Sequence, residues 1–343
     1  MERQLSRRQF VKAVGAGAGA IAVGGILTDV SEGAVRLSRV TDQLGWLKIS
    51  QFSGFFAAQE KGFYRKQGLD VTVNSGGPNV IASQVVATGR ALVGDDDNTT
   101  VLQAIDKGLP VIVYGAIFQK SPYAVMSLPS KPIRTLKDFA GKTVAASPAT
   151  KPQIEPLLKK AGVDTTSVKW VPAGPDPGQL ASHQVDGYFG YATAQGVTLK
   201  EQGINVVTTL VNDLGFPSYA NVLITKPETI QKQKDTLVAF LRGTIMGYEY
   251  SLKYPQEMGK LVATKYGPPG LSAKTEAAVH VAQAALIRSP HGVLWVDPVK
   301  MQSVIRAAAA AKSISKPLPV SRVMTTEILK LAYRGKTSIP LSA

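Results

Sequence analysis

Short apolar runs alternate with amphipathic stretches along most of the chain, and the alternation predicts a repeated strand–helix order. Residues 69–74 (LDVTVN) carry apolar side chains at every second position, the period of a half-buried strand. Residues 111–118 form a continuous β-branched and apolar run, which suits a strand covered on both faces. Residues 44–51 predict a strand, and 54–66 a helix with Phe55, Ala58 and Phe63 as apolar positions. Gly76-Gly77-Pro78-Asn79 predicts a turn feeding a helix through about residue 89, with Pro78 suited to a first helical turn. A short strand at 91–94 and a helix at 98–107 complete the series.

A second series begins near Pro129. It predicts a helical turn at 136–139, then strands at 143–146, 168–171, 185–189, 204–210 and 219–225. Helices at 153–161, near 178–183 and at 192–202 fall between them. After Pro227 the pattern turns mainly helical, at 236–252, 257–265, 274–287, 299–311 and 325–331. Such alternation argues for α/β units around mostly parallel sheets, whose ligands sit at the carboxyl ends of the strands. The alanine run 307–311 is read as packed helix.

Composition narrows the chemistry. The 343 residues are 44% hydrophobic and 18% charged, enough for a sizeable core. The absence of cysteine excludes disulfides, thiolate metal sites, cysteine nucleophiles and a lipid-modified N-terminal cysteine. Only His183, His280 and His291 remain as imidazoles. The net charge of +15 is spread along the chain rather than gathered into patches with aromatic platforms, which argues for a basic solvated surface and against nucleic acid. Ser6-Arg7-Arg8-Gln9-Phe10-Val11-Lys12 precedes an uncharged, glycine-interrupted stretch at 13–28, too short and too weakly apolar to span a bilayer. Removing residues 1–34 would leave +14.

Candidate chemistry is sparse. No Walker pattern, G-x-G-x-x-G, G-x-S-x-G or H-E-x-x-H occurs. His183 could pair with Asp186, but nucleophile, base and orienter cannot be assembled, so binding is favoured over catalysis. Asp95-Asp96-Asp97 admits three roles: capping the following helix through Asp97 or Asn98, touching a ligand, or holding a hard cation. Trp46 and Phe52 flank the first expected strand, where they serve either the core or a stack on a planar ligand.

Several segments, in order, resemble a known family. They include Leu44-Gly45-Trp46, Gly54-Phe55-Phe56-Ala57-Ala58-Gln59-Glu60-Lys61-Gly62-Phe63-Tyr64, Gln67-Gly68-Leu69-Asp70-Val71 and Gly76-Gly77-Pro78-Asn79-Val80. Ile117-Phe118-Gln119-Lys120-Ser121-Pro122, Leu136-Lys137-Asp138-Phe139-Ala140-Gly141 and Gln184-Val185-Asp186-Gly187-Tyr188 follow. Over about residues 44–255 the chain resembles substrate-binding proteins of ABC importers, in the branch with thiamine-pyrimidine, nitrate, taurine and alkanesulfonate binders. The resemblance implies an α/β periplasmic-binding-protein type II fold whose two lobes close on a small ligand and dock on a membrane permease. Lobe 1 is expected at 35–128 and 223–343, and lobe 2 at 129–222. Two crossing strands are expected near 119–130 and 218–226. The N-terminal run resembles a twin-arginine export signal over 1–34, which implies the Tat machinery as a partner and an extracytoplasmic location. No good small-x-small site stands near 31–34, so cleavage and retention as an anchor both stay open.

The turn at 76–80 and the run at 117–122 look most like binders of thiamine-pyrimidine precursors or similar planar heterocycles. Nitrate, taurine or an aliphatic sulfonate is the alternative. Trp46, Phe52 and Tyr191 are expected to sandwich a ring, with Asp96, Asn98 and Gln119 at its edges. Gly54, Asn79, Thr150 and Asp186 complete the expected ligand set, with no cofactor and no metal. The eukaryotic thiamine-pyrimidine synthase shares this fold, but its signature includes a cysteine-rich iron-binding run that a cysteine-free chain lacks.

Overall fold

Residues 37–148, 150–174 and 176–342 are described by a computed structural model. The expected leader at 1–34 lies outside the described residues, and among these no helix is long and apolar enough to cross a membrane. Ten strands are described: β1 (Ser38–Gln43), β2 (Leu69–Asn74), β3 (Val93–Asp96), β4 (Ile112–Phe118), β5 (Tyr123–Ser127), β6 (Thr143–Ala146), β7 (Lys169–Pro172), β8 (Gly187–Tyr191), β9 (Val207–Leu210) and β10 (Ala220–Thr225). They form two five-stranded sheets, ordered β2-β1-β3-β10-β4 and β7-β6-β8-β5-β9. In the first, β1 runs parallel to β2 and β3, and β10 is antiparallel to β3 and β4. In the second, β6 runs parallel to β7 and β8, and β5 is antiparallel to β8 and β9. The fold is a two-lobed α/β arrangement in which the first lobe is discontinuous, because β10 and the C-terminal helices return to the first sheet.

Strand character follows the sequence pattern. β2 alternates buried and exposed residues, whereas every residue of β4 is buried. The strand expected at 44–51 is displaced: β1 occupies residues 38–43, and a 3-10 turn, Ser50–Phe52, overlaps the end of the expected range. The pattern misleads because β1 ends in polar Asp42 and Gln43, which are nevertheless buried. A strand entering the core on polar side chains carries little hydrophobic signal.

Helix Lys234–Lys253 supports the first lobe by packing on helix Ser53–Glu60. Their backbones approach at two glycines. A Cβ at Gly54 would overlap the Tyr248 ring, and one at Gly247 would overlap the Gly54 carbonyl. Tyr248 then donates from its hydroxyl to the Gln51 carbonyl at 2.9 Å. Helix Pro298–Ala310 contributes Met301, Val304, Ile305 and Ala308 to the first lobe's core, while Ala307 and Ala311 pack against the core of the second.

Two segments connect the sheets, Gln119–Pro122 after β4 and residues 211–219 before β10. They are tied together by Ser121 N donating to the Ser218 carbonyl at 3.1 Å and by the Lys120–Asp213 ion pair at 2.6 Å. Lys300 binds both: its ammonium donates to the Gln119 carbonyl and lies 4.2 Å from the centre of the Tyr219 ring.

Two stability predictions follow from this packing. Gly247→Ala should destabilise the protein by about 1–3 kcal/mol in urea unfolding, because the helices must separate to admit the methyl. Asp42 is buried with Oδ2 unpartnered, and burial, reinforced by nearby Asp95, holds its carboxyl well above the ordinary carboxylate range. A raised folded-state pKa gives stability that is present below the unfolded value, about 4, and is lost as pH rises toward the folded value. Asp42→Asn should therefore flatten the decline in stability above pH 4; an unchanged pH profile would exclude Asp42 as its source.

Candidate functional site

The parallel strands of both sheets end at one cleft of about 550 Å³. Gly45 and Trp46 follow β1, Gly77 and Pro78 follow β2, and Asp97 follows β3. From the other lobe, Ser147 follows β6, Gly174 follows β7, and Tyr191 ends β8. A smaller cavity of about 250 Å³ shares Asp97, Thr100, Tyr123, Ser147 and Tyr191 with it and adds Thr150 and Gln153.

The three consecutive aspartates do three different things. Asp95 is fully buried; its Oδ1 accepts from Gly45 N at 3.1 Å and its Oδ2 from Asn221 Nδ2 at 2.8 Å. Burial outweighs these two hydrogen bonds and raises its pKa to about 7. Asp96 accepts from Ser83 N at 3.0 Å, in the first turn of helix Ala82–Ala87, and from Asp97 N at 2.9 Å. Burial raises its pKa as well, against those bonds. Asp97 caps helix Asn98–Asp106, its Oδ1 accepting from Thr99 N at 2.8 Å and Thr100 N at 3.4 Å. Solvent reaches Asp97 through the cleft, yet the surrounding walls remove enough water to raise its pKa too.

Asn221 stands in β10 with φ 50°, a left-handed conformation that asparagine tolerates better than most residues. Its Oδ1 accepts from Gln51 Nε2 at 3.5 Å, so one amide joins β10, β3 and the turn after β1. On the opposite wall the Tyr123 hydroxyl bonds the Thr150 hydroxyl, which in turn meets Ser147 Oγ at 3.0 Å. Tyr188 donates to the Gly174 carbonyl at 2.5 Å, and Tyr191 N donates to Gln195 Oε1 at 2.8 Å. The Tyr191 ring stands edge-on to Phe118 and Tyr123, each at 6.3 Å between centroids.

Of the ten expected ligand residues, the structure brings Trp46, Asp96 and Tyr191 to the main cleft and Thr150 to the smaller cavity. Asn79 is exposed beside lining residues Pro78 and Val80 without lining the cleft itself. The other five are used elsewhere. Phe52 is fully buried, 6.4 Å from Phe55 between ring centroids, because the 3-10 turn rotates it into the core. Gly54 lies in the helix–helix contact, and Asn98 is buried at the start of its helix. Gln119 turns its amide away from the cleft, donating to the Trp295 carbonyl at 2.7 Å and the Ala116 carbonyl at 3.1 Å. Asp186 precedes β8 and accepts from Thr143 N at 3.0 Å and Lys131 Nζ at 2.9 Å. That is the end of β8 opposite Tyr191, about 16 Å away at the rise of an extended strand. Tyr123, Tyr188, Asn221 and Gln51 line the cleft without having been expected there. Tyr123 had a signal in its place just after the Ser121-Pro122 crossover, and Tyr188 in its place at the end of the Gln184–Tyr188 segment; Gln51 and Asn221 had none.

Among the described residues, no lysine, arginine or histidine lines either cavity. Among the described residues, no group of three or more His, Asp or Glu side chains could hold a metal ion.

Two lobes with opposed strand ends define the class: this is a periplasmic-binding-protein fold. The alkanesulfonate-binding protein SsuA of Xanthomonas axonopodis, solved bound to MOPS, superposes with a TM-score of 0.61 at 15% identity, covering 84% of this chain and 98% of that one. Residues 49–258 match the NMT1/THI5-like family model, and the chain belongs to that family. It is 25% identical to the formylaminopyrimidine-binding protein of Halalkalibacterium halodurans, over 66% of this chain and 71% of that protein. It is 26% identical to a 4-amino-5-hydroxymethyl-2-methylpyrimidine phosphate synthase of Legionella pneumophila, over 66% and 73% of the two chains. The riboflavin-binding protein RibY of Chloroflexus aurantiacus matches at 22% over 85% of this chain and 86% of its own.

Asn221→Gly tests whether the amide or the backbone conformation matters at this site. Glycine relieves the left-handed φ but removes the bond to buried Asp95, and stability should fall by about 1–3 kcal/mol. A variant as stable as the parent in urea would assign the position to backbone conformation alone.

Proposed function

We propose that this protein is the extracytoplasmic solute-binding component of an ABC importer, and that its solute is a planar nitrogen heterocycle of the thiamine-pyrimidine type. The observation that carries the choice of solute is electrostatic. An anion would be held by cationic side chains or by bare helix N-termini. Among the described residues neither cavity has a cationic side chain, and carboxylates occupy two of the helix ends at the cleft, at Ser83 and at Thr99–Thr100. Trp46 on one lobe and Tyr191 on the other supply faces for a flat ring. Asp97 supplies an acceptor for an exocyclic amine or a ring N–H, since only its Oδ1 caps the helix.

In this mechanism the ligand touches both walls of the cleft at once, so its contacts stabilise the closed arrangement selectively. The two crossovers, Gln119–Pro122 and 211–219, are where such a rotation would bend. The closed form then docks on a membrane permease. The Ser6-Arg7-Arg8-Gln9-Phe10-Val11-Lys12 run supports export by the twin-arginine machinery. Against a pyrimidine synthase stand the absence of cysteine from the chain and of histidine from the cleft lining. A flavin is the second reading, favoured by the extent of the match to RibY.

Thermal unfolding should be run with an aminopyrimidine, riboflavin, an alkanesulfonate and nitrate. The aminopyrimidine is expected to raise Tm progressively with concentration, by mass action, while the anions leave it unchanged. Stabilisation by the sulfonate alone, or turnover of the pyrimidine, would overturn the reading. Trp46→Ala should weaken pyrimidine binding roughly ten- to hundredfold, the range for losing one aromatic stack.

A further inference from the structure

A third cavity, of about 330 Å³, lies at the other end of the central strands β1, β3 and β10 of the first sheet. Arg39 enters it from the start of β1, Arg90 from the loop before β3, and Lys226 from the residue after β10. Arg39 and Gly45 are six residues apart through β1, so this cavity lies about 20 Å from the interlobe cleft. Lys232 and Glu228 complete its charged lining and pair with each other at 2.7 Å. Among the described residues Arg39, Arg90 and Lys226 form no ion pair. Buried Thr229, 2% exposed, forms part of the same wall.

We propose that this rear cavity binds a phosphate-bearing anion, at a site separate from that of the transported solute. Three cations without an ion-pair partner come from three segments that the sheet holds in fixed register, and they face a single carboxylate, Glu228, which distinguishes the cavity from scattered surface charge. Two arginines offer forked donors matched to phosphate oxygens, and Lys226 adds a point charge. Gly89 leaves room for that lysine: its ammonium lies 3.4 Å from where a Cβ would stand. The contrast with the interlobe cleft is direct, since among the described residues no cation lines that cleft and four line this cavity. The same chemistry would receive a free di- or polyphosphate or the headgroup of an anionic phospholipid.

The test titrates inorganic pyrophosphate into the full chain by calorimetry, beside sedimentation with phosphatidylglycerol or phosphatidylcholine vesicles. Each arm is run on the parent, on Arg39→Gln/Lys226→Gln, and on the distant control Lys159→Gln/Lys160→Gln. The expected result is saturable binding that weakens by about tenfold or more in the first variant, is unchanged in the control, and fades at high salt. Pyrophosphate binding assigns a soluble source; binding only to phosphatidylglycerol vesicles, lost in the same variant, assigns the headgroup. Binding in neither arm, or equal binding by parent and first variant, overturns the proposal. The outcome is independent of the solute, because every substitution leaves the cleft lining intact.

Discussion

The three carboxylates at the end of β3 are fastened to backbone N–H groups of the segments around them, and the cleft takes its form from that arrangement. Asp95 holds the turn after β1 through Gly45, Asp96 holds the start of helix Ala82–Ala87 through Ser83, and Asp97 holds the start of helix Asn98–Asp106. Burying two such groups opposes folding, and their raised pKa values record it. The hydrogen bonds offset part of that cost and give each neighbouring segment a single position. Trp46 depends on this directly. It follows Gly45, whose amide is bound to Asp95, and its own carbonyl accepts from Gly76 N at 2.8 Å.

The same fastening sets the electrical character of the cleft. Helix N-termini at strand ends ordinarily make such clefts hospitable to anions. Here two of them are satisfied internally, so a strongly basic chain presents a neutral-to-acidic, aromatic-rich interior to its ligand. Net charge and site charge have separate origins in this protein. The basic side chains are spread over the exterior, whereas the cleft is built from strand ends where small, polar and aromatic residues predominate.

Much of the fold was legible because helices and strands here keep clean periods. β2 and β6 fall on their expected residues, and the long C-terminal helices begin and end within a few residues of expectation. β1 was not legible, since its buried Asp42 and Gln43 read as surface. The site was less legible than the fold. Spacing locates a residue along the chain but not the direction of its side chain: four of the ten expected residues turn into cores or interlobe connections, and a fifth, Asp186, lies at the far end of β8. Gln119 illustrates the difficulty: its amide is bound by the carbonyl of Trp295, far away in sequence. Asn221 carried no signal at all, because its role depends on a left-handed conformation that only the assembled sheet imposes.

Helix Pro298–Ala310 belongs to both lobes in different ways. Its first half interlocks with the first core through Met301, Val304 and Ile305, while the apolar contacts with the second come from the methyl groups of Ala307 and of Ala311, the residue that ends it. Methyl groups make a shallow surface with no ridges for a neighbour to lodge between. In the proposed closure, the second lobe would have no long side chains of this helix to disengage at that end, whereas Lys300 ties the other end to both connections. If the lobes rotate as proposed, the helix would act as an axle with one fixed bearing and one smooth one, and bulkier residues at Ala307 or Ala311 would stiffen the joint without touching ligand.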